Sequence, residues 1–202
     1  MTSRRTFIKK AAAAGIACTM PRIFQPQQQG FPEKLIWAYL IHLSYNMWED
    51  NIPSKYRDEN YNCTSCQEAR EWAHGLRPNL TFDYEVWNTL LKEMAAAGIN
   101  MIVIDLGDGI EYESHPEIAV KNAWKPERIR TELARMRKLG IEPIPKLNFA
   151  ATHDIWLKDY SRMVSTDIYY DVCSDLIEEV SLLFDKPRFF HLGMDEELAS
   201  YQ

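Results

Sequence analysis

Three consecutive carboxylates, Asp195, Glu196 and Glu197, follow an apolar run and a glycine near the end of the 202-residue sequence. Residues 188–192 are expected to form a short strand buried on both faces, which would place the acids at its carboxyl end. Adjacent side chains on a regular strand point to opposite faces, but the backbone bends where a strand ends, so Asp195 and Glu196 can reach one pocket. A carboxylic acid confined beside a carboxylate is suited to general acid catalysis near neutral pH. Asp195 and Glu196 are therefore the candidate catalytic residues.

The same three acids also fit the start of a helix. Asp-Glu-Glu before Leu-Ala supplies an N-cap and a first turn whose carboxylates meet the positive end of the helix dipole. A helix normally follows a strand in a barrel, so capping and catalysis are compatible. Spacing alone leaves both interpretations open.

Two similar helix-strand units lie upstream of these acids. In the first, Thr81 or Asp83 is expected to cap a helix that ends at Gly98 and leads into a buried strand at residues 99–104. Its predicted apolar face consists of Val86, Leu90, Leu91 and Met94. Asp105 follows that strand directly.

In the second unit, Pro126 stands where a first helical residue is expected, and Gly140 ends the helix. Its predicted apolar face consists of Ile129, Leu133 and Met136. The strand predicted at residues 141–149 contains Pro143 and Pro145, which weaken it because proline cannot donate in an interior ladder. The pattern Met-x-x-x-Gly-Ile occurs in both units, with its glycines 42 residues apart.

A first strand at residues 34–43 and a third helix at residues 167–184 complete the pattern. Four strands with three helices between them predict an α/β fold of the (β/α)₈ TIM-barrel type, of which about four β/α units, the first half, are present. Residues 31–202 form this predicted domain. Such a barrel typically takes about 250 residues, so we expect either a truncated reading of a longer gene, which we favour, or two halves that associate. The unpaired barrel edges predict self-association.

The motif His191-x-Gly193-x-Asp195-Glu196 resembles the signature of the β-N-acetylhexosaminidases, glycoside hydrolase family 20, at the end of their fourth barrel strand. The run from Ile144 to His153 is similar to the family's Ile-Pro-Glu-Ile-Asp segment and the histidine that follows it. Lys146 and Asn148 stand at its acidic positions, and the sugar-clamping arginine of the family's first strand has no clear counterpart. The resemblance covers residues 35–197, most strongly at the fourth strand.

The resemblance implies hydrolysis of a carbohydrate substrate, with no metal and no organic cofactor. The sugar's 2-acetamido oxygen would attack the anomeric carbon, oriented by Asp195, while Glu196 protonates the leaving oxygen and then activates water. The candidate substrate-binding residues are Asp105, Asn148, His153 and His191. Each histidine is equally compatible with a structural role at a strand end.

Two other classes of protein remain open. A metal-dependent barrel hydrolase or sugar isomerase would gather Asp105, His153, His191 and Glu196 as ligands at the same mouth. The absence of a His-x-His motif after His42 counts against its amidohydrolase-like version. The third class is a non-catalytic carbohydrate-binding or structural protein.

The N-terminal residues 1–30 resemble a twin-arginine signal sequence and linker. Arg4 and Arg5 precede Phe7, and a short alanine-rich run follows at residues 11–17. This predicts export by the twin-arginine machinery to the periplasm or the medium. In that oxidising setting Cys63 and Cys66 are expected to form a local disulfide or to stay as two thiols, whereas Cys173 is predicted to be a buried apolar residue. The net charge of −6 argues against nucleic acid as a partner.

Overall fold

A computed structural model describes residues 35–44, 46, 77–150 and 153–194. Helices and strands alternate along these residues, and the three strands form one parallel sheet in the order β1-β2-β3. The elements are β1 (Ala38–His42), α1 (Tyr84–Ala96), β2 (Met101–Asp105), α2 (Pro126–Lys138), β3 (Glu142–Lys146) and α3 (Asp167–Leu183), with 3₁₀ helices at Pro116–Ile118 and Ile155–Met163. The prediction of an α/β fold with parallel strands is confirmed.

The repeated helix end has the same backbone geometry in both units. Gly98 and Gly140 have φ angles of +84° and +76°, a region that glycine enters without strain. The amide of Ile99 donates to the carbonyl of Met94 at 3.0 Å, and the amide of Ile141 donates to the carbonyl of Met136 at 3.1 Å. This six-to-one hydrogen bond defines a Schellman motif, which turns the chain from each helix into the following buried strand.

The starts of the helices also agree with the sequence. The carboxylate of Asp83 accepts hydrogen bonds from the amides of Glu85 and Val86 at 2.9 and 3.0 Å, so Asp83 rather than Thr81 is the N-cap of α1. Pro126 is the first residue of α2, where its missing N–H costs nothing because that amide has no partner in a helix.

The predicted apolar face of α1 is partly wrong. Leu91 and Met94 are buried as expected, but Val86 and Leu90 are exposed. Trp87 is buried instead, and its indole Nε1–H donates to the buried carboxylate of Glu132 on α2 at 2.8 Å. The buried face of α1 therefore includes Trp87 and excludes Val86 and Leu90. The predicted core face of α2 is buried, and so is Cys173 of α3.

Both prolines of β3 lie within the strand, and their positions explain how the ladder tolerates them. In a parallel strand alternate residues bond to opposite neighbours. Glu142 donates to the carbonyl of Asn100, on the β2 side, whereas the carbonyl of Pro145 accepts from the amide of His191 at 3.0 Å. Pro143 and Pro145 therefore lack donors only on the side that faces residues 188–193.

The predicted fourth strand is wrong as an extended ladder. In the described residues it is a single parallel bridge between Lys146 and His191. The physical reason is the absence of amide donors at the two prolines of β3, which removes the hydrogen bonds that a longer pairing with residues 188–190 would need. Three strands and one bridge thus replace the four strands that the sequence predicted.

Strand β1 lies at the edge of the described sheet and carries the exposed apolar side chains of Tyr39 and Leu40, and Leu35 and Trp37 just before it are exposed as well. None of the helices that the structure describes combines the length and the hydropathy needed to cross a membrane. The twin-arginine motif, Cys63 with Cys66, and the acids at 195–197 lie outside the described residues.

Candidate functional site

The last residues of the three strands form a row across the carboxyl edge of the sheet. His42 of β1 is in register with Asp105 of β2, and Asp105 is in register with Lys146 of β3. The bridge between Lys146 and His191 extends the row by one residue. Ligands of open parallel sheets and of barrels bind at this edge, so the row is the best candidate for a functional site in the described residues.

The row is joined by its side chains around one carboxylate. Asp105 Oδ2 lies 3.1 Å from His42 Nδ1 and 3.4 Å from Lys146 Nζ. Asp105 and Lys146 are only 3% and 4% exposed, whereas the side chain of His42 is 39% exposed. A buried carboxylate and a buried ammonium are tolerated together because each offsets the charge of the other. Of these three side chains, His42 is thus the one that solvent or a ligand can reach.

The row lies on the face of the sheet opposite the helices. Ile41 and Ile104 pack in the hydrophobic core with residues of α1 and α2. Since successive side chains of a strand alternate between faces, His42 and Asp105 project to the other side. The polar row and the apolar core therefore use alternate positions of the same strands.

His191, a predicted substrate-binding residue, is exposed at the end of the row. Its Nδ1 accepts a hydrogen bond from the amide of Gly193 at 2.9 Å. Because an amide nitrogen can only donate, this geometry assigns the neutral tautomer with the ring proton on Nε2. The imidazole therefore helps to shape the turn at residues 191–193.

Asn148, also predicted to bind substrate, is 1% exposed. Its Oδ1 accepts from the amide of Ala150 at 3.2 Å, and its backbone carbonyl accepts from Trp156 Nε1 at 2.8 Å. Gly193 packs directly on it, since a Cβ built at Gly193 would lie 2.5 Å from the Cα of Asn148. Asn148 thus serves as a buried support for the chain at Gly193.

Of the other two predicted site residues, Asp105 is at the centre of the row, and His153 lies in the segment that follows β3. His153 follows two residues that the structure does not describe, and its amide donates to the carbonyl of Ala150 at 2.8 Å. The structure therefore brings Asp105 and His191 to one edge, with Asn148 beneath. The predicted catalytic pair Asp195 and Glu196 follows the described residues directly after Met194.

A second polar cluster holds the loops that follow β1 and β2. The buried carboxylate of Asp108 accepts hydrogen bonds from the hydroxyl of Ser44 and from Asn46 Nδ2, the latter at 2.8 Å. Burial raises the pKa of Asp108 above its usual value, although the two hydrogen bonds and the charge of Lys158 act in the opposite direction. The side-chain Nδ2 of Asn46 also donates to the backbone carbonyl of Arg77, and the Oδ1 of Asn46 accepts from the backbone amide of Arg77, both at 2.7 Å. These contacts fix both loops beside the row.

His42 and Lys146 are members of the site that the sequence pattern does not predict. In the sequence His42 bears only on the His-x-His motif, and Lys146 stands at a position that is acidic in the family it resembles. The signal that identifies them is strand register, because each is the last residue of its observed strand, as Asp105 is. Sequence predicts the strands but not which residues lie opposite each other.

The chemistry of the row is that of a charged hydrogen-bonding site. In the part of the chain that the structure describes, no group of three or more His, Cys, Asp or Glu side chains is arranged to hold a metal ion. The metal ligand set considered from the sequence includes Glu196, which lies outside the described residues. What the row does offer is an oriented imidazole at the carboxyl edge of a rigid sheet.

Comparison of the sequence with models of known protein families gives no match, and comparison with curated proteins gives none either.

Proposed function

We propose that this chain is a glycoside hydrolase that acts on N-acetylated sugars, with Glu196 as the general acid and base and Asp195 as the residue that orients the acetamido group. The described sheet would then be part of a (β/α)₈ barrel, and its carboxyl edge would be the floor of the active site. The roles of Asp195 and Glu196 are inferred from their sequence motif, which resembles that of the β-N-acetylhexosaminidases.

The observation that carries the proposal is the attachment of residues 191–193 to the carboxyl end of β3. Leu147 donates to the carbonyl of His191 at 3.1 Å, and Ala150 donates to the carbonyl of Gly193 at 3.2 Å. The amide of Phe149 donates to the carbonyl of Leu192 at 3.2 Å. The chain therefore leaves Gly193 from a fixed point at the edge where the polar row lies. Asp195 is two residues further along.

The attachment of residues 191–193 matters for this chemistry because a general acid must reach the leaving oxygen within hydrogen-bond distance. The acetamido oxygen forms a bond to the anomeric carbon while the bond from that carbon to the leaving oxygen breaks. In the same step the proton of Glu196 moves to the leaving oxygen. Water then attacks the anomeric carbon, gives its proton to the Glu196 carboxylate and restores the acetamido group.

The described residues also suggest a site that differs from the family it resembles. Lys146 and Asn148 occupy positions that are acidic in that family, and both are buried and engaged with Asp105 and with Gly193, respectively. Contacts that the family makes to sugar hydroxyls at these positions would have to come from elsewhere in this chain. The proposed substrate class is an N-acetylated sugar, whose acetamido group supplies the nucleophile. Export through the twin-arginine route is part of the same proposal.

The test of the proposal is a comparison of two substrates that differ only in the acetamido group. We expect the full chain to hydrolyse a nitrophenyl N-acetyl-β-glucosaminide at least about 10²-fold faster than the matching β-glucoside, because the second lacks the internal nucleophile. Initial rates of nitrophenol release give the ratio. Equal rates on the two substrates would rule out substrate assistance.

A further inference from the structure

We propose that His42 is a ligand-binding residue of this site, whose Nε2 accepts a hydrogen bond from a sugar hydroxyl. The inference rests on the proposed function for the class of ligand. His42 thereby gives β1 a polar contact to the ligand that the sequence did not predict.

Asp105 determines how the imidazole ring of His42 is oriented. His42 Nδ1 lies 3.1 Å from Asp105 Oδ2. A carboxylate oxygen without a proton can only accept, so Nδ1 must carry the proton and Nε2 of the neutral ring becomes the acceptor. The carboxylate thus selects one tautomer of the imidazole, which is the role of a positioning residue.

Lys146 pairs with the carboxylate that holds the His42 ring. Its ammonium lies 3.4 Å from the same Asp105 oxygen and is almost completely buried. The ammonium offsets the charge of the buried carboxylate that holds the His42 ring. Lys146 and Asp105 therefore act on a ligand through His42, without needing to touch it themselves.

The ring of His42 is also accessible to a ligand. The His42 side chain is 39% exposed, although its Nδ1 partner is buried. Within the described ranges the hydrogen bond of the His42 ring is the one that Nδ1 makes to Asp105, which leaves Nε2 for a ligand. Hydroxyl groups are the donors that a sugar presents most densely, and a neutral imidazole nitrogen is a good acceptor for them.

The experiment follows the histidine ring nitrogens of the full chain by long-range proton–nitrogen NMR after labelling of histidine. His42 is assigned by the signal that disappears in His42→Asn. We expect His42 to carry its proton on Nδ1, and we expect its Nε2 signal to move when N-acetylglucosamine is added. His115 is the internal control, because both of its ring nitrogens already face carboxylates, Glu117 at 3.1 Å and Asp175 at 3.2 Å.

Two matched variants separate contact from mere packing. The amide of Asn can replace Nδ1–H toward Asp105 but does not reach the position of Nε2, whereas the oxygen of Gln does. We expect His42→Asn to weaken N-acetylglucosamine binding by about tenfold and His42→Gln to recover most of the loss. Far-ultraviolet circular dichroism checks that both variants fold.

The inference is overturned if N-acetylglucosamine leaves the Nε2 signal unmoved, or if His42→Asn binds it as tightly as the wild type. Loss of hydrolysis in Glu196→Gln with unchanged binding in His42→Asn would contradict this inference alone. A shifted Nε2 signal in a chain whose hydrolysis does not depend on Glu196 would support it and sink the proposed hydrolase mechanism instead.

Discussion

Glu196→Gln is expected to lower the rate of N-acetyl-β-glucosaminide hydrolysis by about 10²-fold or more, the usual contribution of a general acid. Gln retains the size and hydrogen-bonding shape of Glu but cannot give a proton to the leaving oxygen. The thermal midpoint of unfolding should stay close to that of the wild type, since no proton transfer is needed to fold. The measurement is kcat at saturating substrate, with unfolding followed on the same preparation.

Glu197→Gln is the matched control, because it makes the same chemical change one residue further along. We expect it to have little effect, since Glu197 is the acid most compatible with solvent or with the start of a helix. Asp195→Asn should also be damaging, because an amide orients the acetamido N–H less well than a carboxylate does. A severe loss in Glu197→Gln would mean that the register of the motif is wrong. Mild effects in all three variants would identify the acids as a helix cap.

Gly193→Ala is expected to destabilise the fold by about 3 kcal/mol and to reduce hydrolysis together with stability. Gly193 has a φ of +58°, which costs an alanine about 1–2 kcal/mol. The added Cβ would lie 2.5 Å from the Cα of Asn148 and 2.7 Å from its Cγ. The backbone must move to relieve such an overlap, at a further cost of about 1–3 kcal/mol. Urea unfolding measures the difference in free energy.

Gly98→Ala separates the cost of a positive φ from the cost of steric overlap. Gly98 also has a positive φ, +84°, but a Cβ built there meets no atom within 4 Å. We expect a loss of only about 1–2 kcal/mol and unchanged kcat, because this glycine ends α1 far along the chain from the acids. If Gly193→Ala were no more harmful than Gly98→Ala, the close packing on Asn148 would not hold the segment before Asp195 in place.

The sequence predicted the elements that local chemistry decides. The helix ends at Gly98 and Gly140, and an N-cap at Thr81 or Asp83, depend only on residues close in the chain, so they can be predicted without knowledge of the fold. The α/β class followed from the same rhythm of helix, glycine and apolar strand. The buried face of α1 did not, because the partners of the buried Trp87 lie far along the chain: its ring contacts Trp124, and its indole N–H bonds Glu132, 45 residues away.

The candidate site was predictable only in part for the same reason. Asp105 was identified because it follows an apolar strand, and His191 because it belongs to a motif. The ionic row of His42, Asp105 and Lys146 depends on register between strands that are far apart in sequence. Register is determined by packing and by the hydrogen-bond ladder, which a single sequence does not display. The fourth strand was overestimated because the effect of Pro143 and Pro145 depends on which neighbour each residue faces.

We propose that an acetamido group of the substrate and the carboxyl group of Glu196 share the chemistry at the edge of this sheet. The most direct measurement is the anomeric configuration of the sugar first released from an N-acetyl-β-glucosaminide, followed by proton NMR before mutarotation. Two successive inversions at the anomeric carbon predict that the β anomer is released first. Release of the α anomer first, or no release of sugar by the folded chain, would contradict the account.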